Sequence, residues 1–320
     1  MAFQFARREF LRGMAALSAV HATSRLSAWP DSTSPFRISV INDEISQDFA
    51  HACEVASGEF GMRWIELRSM WKKNVVNLDQ KEVAEARRIL EKFQLKVTDI
   101  ASPLFKVDWP GAPKSRFSSG AGFRADFTYE QQDEVLDRAI AMAKAFESDR
   151  VRCFDFWRLE DPAPYRAAIN DKLLQAADKA GKQGITLVLE NEPSCNTATG
   201  AEAAKVLAAV KSPHLMLNWD PGNAATLGET PYPDGYKLLP KDRIGHCHCK
   251  DAVKKSTGYD WAPMGGGIID WAGQFRALKR DGYHFAVSLE THWSGGGSPE
   301  ESSRQSWAGM KKLLEEATAL

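Results

Sequence analysis

The sequence predicts an α/β fold, a single-domain (β/α)8 TIM barrel. Three observations predict it: eight short β-branched or apolar runs, helical patterns between most of them, and no glycine-rich phosphate turn after the first run. The last argues against a doubly wound open sheet. The runs are 36–41 (FRISVI), 63–67 (RWIEL), 96–101 (KVTDIA), 150–154 (RVRCF), 185–190 (ITLVLE), 214–219 (HLMLNW), 244–249 (IGHCHC) and 284–290 (HFAVSLE). Helical patterns occupy about 80–94, 129–147, 164–182, 199–210, 270–281 and 300–318. The turns Gly181-Lys-Gln-Gly184 and Asp281-Gly282 stop two of them just before the next strand. The longest irregular stretch, about 102–128, contains Trp109-Pro110-Gly111 and Ser118-Ser-Gly-Ala-Gly122. It follows the third strand, so it lies on the C-terminal face where barrel active sites are built, and it reads as a lid.

A chain of 320 residues and 35.5 kDa suits one barrel. Hydrophobic residues make up 43% and charged residues 26%, as in soluble globular proteins. The net charge is −1 with no basic tract, which excludes an electrostatic footprint for nucleic acid. No run approaches ~18 apolar residues, so no membrane span is expected in the mature chain. Five cysteines at irregular spacing do not form a disulfide framework. The N-terminus differs in character. Ala6-Arg-Arg-Glu-Phe-Leu-Arg12 precedes a modest apolar run from Gly13 to Ala22, then a polar stretch near Ala28. The pair Arg7-Arg8 with Phe10-Leu11 resembles the twin-arginine export signal, departing from it at Ala6 and Arg12. The expected division is 1–28 signal peptide, 29–35 linker and 36–320 barrel. The resemblance implies a periplasmic or otherwise exported protein that folds before it meets the twin-arginine translocation machinery.

The run Arg243-Ile-Gly-His-Cys-His-Cys-Lys-Asp251 places two of seven histidines and two of five cysteines in alternation. Side chains of a strand alternate between its faces, so His246 and His248 share one face and Cys247 and Cys249 the other. A zinc site using all four would need the strand to face both ways. The cysteines suit the helix-packed side as small buried hydrophobes, and both imidazoles then point into the barrel. Four other strands end in acids: Glu66, Glu190, Asp220 and Glu290. Converging at one mouth, uncompensated carboxylates would repel one another and be desolvated, and a divalent cation removes that conflict. Carboxylates with an imidazole suit Mn²⁺, Mg²⁺, Co²⁺ or Zn²⁺, and hard oxygen donors favour Mn²⁺.

These features together resemble the sugar phosphate isomerase/epimerase superfamily, the xylose isomerase-like TIM barrels, over about residues 36–318. The resemblance rests on Leu189-Glu-Asn-Glu192, Asp220-Pro-Gly-Asn223, His246-Cys-His-Cys-Lys-Asp251, Gly265-Gly-Gly-Ile-Ile-Asp-Trp271 and Gly282-Tyr to Ser288-Leu-Glu290, in this order. It implies one divalent metal held by Glu190, Asp220, His248 and Glu290. In that pattern Glu66 is not a ligand, and it is expected to hold a basic neighbour such as Arg68 or to contact substrate. Gly266 stands where many relatives have Glu, Lys254 where ketose epimerases have Arg, and Asn223 where they often have His.

The chemistry this site implies is proton abstraction beside a carbonyl, with the metal stabilising an enediolate as a Lewis acid. Glu190 and Glu290 are the expected acid/base pair, and Asp220 and His248 fixed ligands. His246, Glu192, Asn223, Lys250, Trp109, Trp157, Glu66 and Arg68 are expected to meet or orient a carbohydrate substrate, with Asp251 and Trp293 nearby. Cys195 has no evident base beside it. The expected function is a metal-dependent isomerase or epimerase of a non-phosphorylated sugar or keto-sugar. The alternatives are a dehydratase of a keto-cyclitol or keto-sugar, or a non-catalytic periplasmic sugar-binding barrel. Nothing in the sequence opposes a homo-oligomer.

Overall fold

The computed structural model describes residues 34–118 and 127–318. The export-signal reading on 1–28, most of the linker, and residues 119–126 of the expected lid lie outside the described residues. Eight parallel strands form the barrel: β1 (Arg37–Val40), β2 (Trp64–Leu67), β3 (Lys96–Leu104), β4 (Arg150–Cys153), β5 (Thr186–Glu190), β6 (Leu215–Trp219), β7 (Ile244–Cys249) and β8 (Ala286–Leu289). Their order in the sheet is β1-β8-β7-β6-β5-β4-β3-β2. A parallel bridge between Ile41 and Glu66 brings β1 back to β2, so the barrel is nearly closed.

Helices cover the outside: α1 (Phe49–Glu54), α2 (Gln80–Phe93), α3 (Gln132–Ala145), α4 (Arg166–Gly181), α5 (Gly200–Ala209), α6 (Pro221–Thr226), α7 (Trp271–Arg280) and α8 (Pro299–Thr318). The start of α2 illustrates the local code. The Asp79 carboxylate accepts from the Lys81 and Glu82 N–H groups while Glu82 accepts from the Asp79 N–H, closing a capping box. Ala86, Ile89 and Leu90 then recur at helical spacing and are buried. One continuous core lies between strands and helices, and Val40, Ile65, Ile100, Leu187, Leu217, Cys247 and Leu289 in it are fully buried. Truncating one of these, as in Leu217→Ala, costs about 2–5 kcal/mol. No helix among the described residues is long and apolar enough to cross a membrane.

Short elements at the mouth escape the sequence patterns. They are α1, α6 and the hairpins 69–74 and 251–262. Asp251 explains the glycine run that follows the second hairpin. Its carboxylate accepts from the N–H groups of Ala252, Gly265, Gly267 and Ile269. A Cβ at Gly267 would stand 2.1 Å from Asp251 Oδ1, so the loop requires glycine there. Both carboxylate oxygens of Asp251 are thus committed to backbone N–H groups. Past β3 and β4 the chain turns through left-handed backbone at Phe105 (φ 67°) and Phe156 (φ 71°). Aromatic residues rarely adopt such conformations outside functional turns. The two rings pack 5.0 Å apart, and the turn after β3 delivers Lys106 to the mouth.

Candidate metal centre at the barrel mouth

Strand ends place the acids. Glu190 closes β5, Asp220 follows β6 as the N-cap of α6, and Glu290 follows β8. His248 lies on β7, paired in register with Ser288 of β8. One ligand atom from each of Glu190, Asp220, His248 and Glu290 falls within 4.8 Å of the others, and all four residues are buried.

Each group is aimed by its neighbours. Asp220 Oδ1 accepts from the Asn223 N–H at 2.8 Å, which caps α6 and leaves Oδ2 turned to the centre. Arg152 donates to Glu190 Oε2 at 3.1 Å and the Asn223 amide donates to Oε1 at 3.2 Å. Arg68 donates to Glu290 Oε1 at 3.2 Å while also gripping Asp43 and Glu44. Lys250 lies between Asp220 Oδ2, at 2.7 Å, and Glu290 Oε2. A Cβ on Gly222 would come within 2.5 Å of Lys250 Cγ, so glycine leaves the path for that side chain.

Glu66 plays a part the sequence did not reveal. It is fully buried on β2, and its two oxygens meet His246 Nε2 at 2.9 Å and His248 Nε2 at 3.0 Å. An ionised carboxylate only accepts hydrogen bonds, so both Nε2 atoms carry a proton. Burial opposes charge on His248, but Glu66, Glu290 and Glu190 raise its pKa well above the ordinary value. Nδ1 is therefore protonated among these carboxylates, and is the nitrogen that would give up its proton and offer a lone pair to a bound cation. It stands 3.3 Å from Glu290 Oε2, 3.6 Å from Glu190 Oε1 and 3.8 Å from Asp220 Oδ2. The Asn218 amide, 3.2 Å from His248 Nε2, satisfies the same N–H once its oxygen faces it. Glu66 therefore holds the histidines and not Arg68, and neither Glu66 nor His246 reaches the cavity.

The residues present fit a divalent metal. His248 Nδ1 is buried without a hydrogen-bond partner, and Asp220 Oδ2 has no partner besides the ion pair with Lys250. The three converging buried carboxylates already meet Arg68, Arg152 and Lys250, and a divalent metal would take over the place that the Lys250 ammonium holds between Asp220 and Glu290. Burial pushes Asp220 up, and with Glu290 and Glu190 adding to it the Lys250 charge leaves the carboxyl at about 6. Burial also pushes Glu190 up, but Arg152 and His248 outweigh it and hold that carboxyl at about 2. Burial is likewise outweighed at Glu290, where Lys250 and His292 hold the carboxyl well below the usual range.

A cavity of about 340 Å³ opens above the centre, lined among others by Arg68, Lys106, Arg152, Glu192, Lys250 and Trp261. Glu192 pairs with Lys106 and accepts from Ser194. Trp109 and Trp157 do not line this cavity. Trp109 packs edge-on against Tyr129 and Phe156 and, with Trp157, borders a side cavity. Arg152, Lys106, Trp261 and His292 line the mouth without having been singled out. The alternation applied to β7 would have found Arg152, because a charged residue at that position of an apolar run must face the interior.

Fold and site together define a barrel with a carboxylate-rich mouth. The chain belongs to the xylose isomerase-like TIM barrel family, whose description matches residues 55–313. No functionally curated protein is significantly similar in sequence. Among solved structures, the IolI protein with a binding zinc atom superimposes with a TM-score of 0.67 at 16% identity, covering 88% of this chain and 99% of that one. The probable 3-DHS dehydratase AsbF of Bacillus anthracis has a TM-score of 0.65 at 20% identity, with 87% and 98% covered. D-allulose 3-epimerase from Methylomonas sp., in complex with D-allulose, has a TM-score of 0.61 at 18% identity, with 88% and 97% covered. The chain spans 44% of a xylose isomerase-like TIM barrel/4-hydroxyphenylpyruvate dioxygenase fusion protein, with 89% of this chain covered at 16% identity and a TM-score of 0.66. At such identities the likeness speaks for the fold.

Proposed function

We propose that the chain is a metal-dependent isomerase or epimerase of a non-phosphorylated sugar or keto-sugar, acting by removal and return of a proton beside a carbonyl. The observation that carries this reading is the convergence of Glu190, Asp220, Glu290 and His248 Nδ1 on one point. These four residues would hold one divalent metal, with Mn²⁺ best suited to the oxygen-rich set and Mg²⁺, Co²⁺ or Zn²⁺ as alternatives. When bound, the metal supplies Lewis-acid stabilisation of negative charge on the substrate's carbonyl oxygen. Glu190 and Glu290 come from β5 and β8, well separated around the sheet. Both are ionised at neutral pH, the form that accepts a proton. One takes the proton from one face of the substrate. The other, having itself taken up a proton from solvent, returns one to the opposite face, and the first carboxylate releases its own proton to solvent to restore the starting state. Asp220 and His248 stay fixed, through the α6 cap and through Glu66.

The cations of the mouth support a substrate without phosphate. Arg68, Lys106, Arg152 and Lys250 are each already paired with carboxylates, and a phosphate dianion would have to break such pairs. Lys250 also favours a second reading, a dehydratase. Its ammonium lies at the reacting point and can protonate a departing hydroxyl, and the likeness to a dehydratase barrel is consistent with this. The Arg7-Arg8 segment supports export through the twin-arginine machinery to the periplasm, which a signal-deleted form retained in the cytoplasm would test.

The test is metal content per chain, by elemental analysis of protein purified without chelator, with keto-sugars screened for deuterium exchange by NMR. The expected result is about one ion per chain, lost in Glu290→Gln, with exchange and no dehydration. Formation of an unsaturated product with its ultraviolet absorbance would select the dehydratase. Absence of metal in both forms would overturn both enzyme readings and leave a sugar-binding barrel.

A further inference from the structure

The cavity over the metal centre does not end at its rim. A second cavity of about 370 Å³ adjoins it, and Asp260, Trp261 and His292 line both. The inner one alone lies near the lower end of the range of ~300–1,000 Å³ typical of small-ligand sites, and the two together lie well inside it. The dividing wall is the Trp261 ring, set edge-on to His292 with centroids 5.0 Å apart and carrying Lys250 Nζ 5.2 Å from its centre on the inner side.

The outer cavity has the chemistry of a sugar-binding surface. Trp293 lines it half-buried, and its ring rests on Gly295, where a Cβ would come within 2.4 Å of ring atoms. A ring backed in this way is a rigid apolar platform, suited to the C–H face of a pyranose. Polar groups surround it. Lys255 and Asp260, 3.9 Å apart and both more than half exposed, and the Ser294 hydroxyl face the same space. Gly266 lies in its lining and contributes no side chain to fill it. A neutral, hydroxyl-rich ring matches this mixture of one aromatic face with loosely paired rim charges.

We propose that the outer cavity is a second sugar subsite, and that the substrate is a glycosylated keto-sugar whose reacting ring occupies the metal cavity while its second pyranose lies on Trp293. This rests on the sugar-isomerase reading of the inner site and deepens it by naming the substrate class. Glycosylation explains why two cavities share one wall at the mouth, where a monosaccharide would fill only the inner one.

The test is isothermal titration of the full chain loaded with Mn²⁺, using fructose and three keto-disaccharides, turanose, lactulose and isomaltulose. These present the same ketose with a second ring attached at different positions. The expected result is that at least one disaccharide binds ten-fold or more tightly than fructose. Trp293→Ala and, independently, Ser294→Trp, which fills the outer cavity from an exposed position, should each erase that preference. Equal affinity for all four sugars, or a preference that survives both variants, would overturn the second subsite while leaving the inner reading intact. Absence of metal uptake, or metal uptake with no sugar bound, would overturn the inner reading and the subsite with it.

Discussion

Two layers of the barrel interior use the same residue types and treat them in opposite ways. At the mouth, Glu190, Asp220 and Glu290 each meet a cation supplied by Arg152, Lys250 or Arg68. In the interior beneath, Glu66 is satisfied by two imidazoles, but Asp99 on β3 has neither oxygen hydrogen-bonded. Ser39, Ser288 and His246 Nδ1 are also unpartnered there. The difference teaches that burial of an acid does not by itself mark a site. What marks one is burial combined with cations from several separate strands, because the chain must bring those together at the expense of packing.

The comparison breaks first at the mouth. In the proposed reaction Glu190→Gln removes both a proton acceptor and a candidate metal ligand, and should lower deuterium exchange by at least about 10²-fold, read by NMR on a responding keto-sugar. An exchange rate within a few-fold of wild type would remove Glu190 from the mechanism. The opposite sign is expected below. Burial pushes Asp99 up to about 6 from the ordinary 3.8, a gap that corresponds to about 3 kcal/mol. A carboxyl raised in the folded state destabilises the fold once pH exceeds its unfolded value. The cost grows as pH rises from about 4 to 6 and is constant above that. Asp99→Asn should therefore stabilise the protein by up to about 3 kcal/mol at pH 7 and leave it unchanged near pH 3.5, measured by denaturant unfolding at both values. Equal effects at the two pH values would mean Asp99 is already neutral.

Glu66 joins the layers and sharpens the contrast. Glu66→Gln leaves one acceptor for two imidazole donors, so His248 is free to place its proton on the face turned to the metal. Loss of such an orienting carboxylate typically weakens metal affinity about 10–100-fold. Competitive chelator titration would measure this, with Glu66→Asp restoring part of it. Unchanged affinity would show that strand geometry alone fixes the ring.

Much of this was legible in the sequence, for a reason that also sets its limit. Strand periodicity is local, so the inward placement of His246 and His248 and the four acidic strand ends could be read from RIGHCHCKD and from the runs that end in Glu66, Glu190, Asp220 and Glu290. Which strand ends meet is a matter of tertiary register, and there the reading failed. Glu66 was placed beside Arg68, its near neighbour in sequence, whereas the barrel pairs it with β7, about 180 residues away. The commitment of Asp251 is hidden in the sequence because three of its four backbone donors, Gly265, Gly267 and Ile269, lie 14 to 18 residues further on. Trp109 and Trp157 follow strand ends, but Trp109 packs on Tyr129 and Phe156 while Trp157 packs with Phe154 and Cys195.

The smallest effect is expected where the same chemical pair lies in water. His51 Nε2 on α1 stands 2.8 Å from Glu300 Oε2 on α8, as close as the imidazoles on Glu66, but the His51 side chain is 42% exposed. The Glu300 hydrogen bond raises the His51 pKa despite the opposing effect of burial. A raised histidine contributes stability that is present below its unfolded value of about 6.5 and disappears as pH rises through the folded one. Solvent screening keeps that contribution under about 1 kcal/mol. Glu300 also pairs with Arg304 on α8, which stays charged at both pH values. Glu300→Gln should therefore lower stability more at pH 5.5 than at pH 9, with that extra loss shrinking in 0.5 M salt because exposed charges are screened over a few ångströms there. A loss at pH 9 as large as at pH 5.5 would show that Glu300 acts through Arg304 and the packing of α8 rather than through the imidazole, and that carboxylate–imidazole contacts in this barrel do not divide by burial.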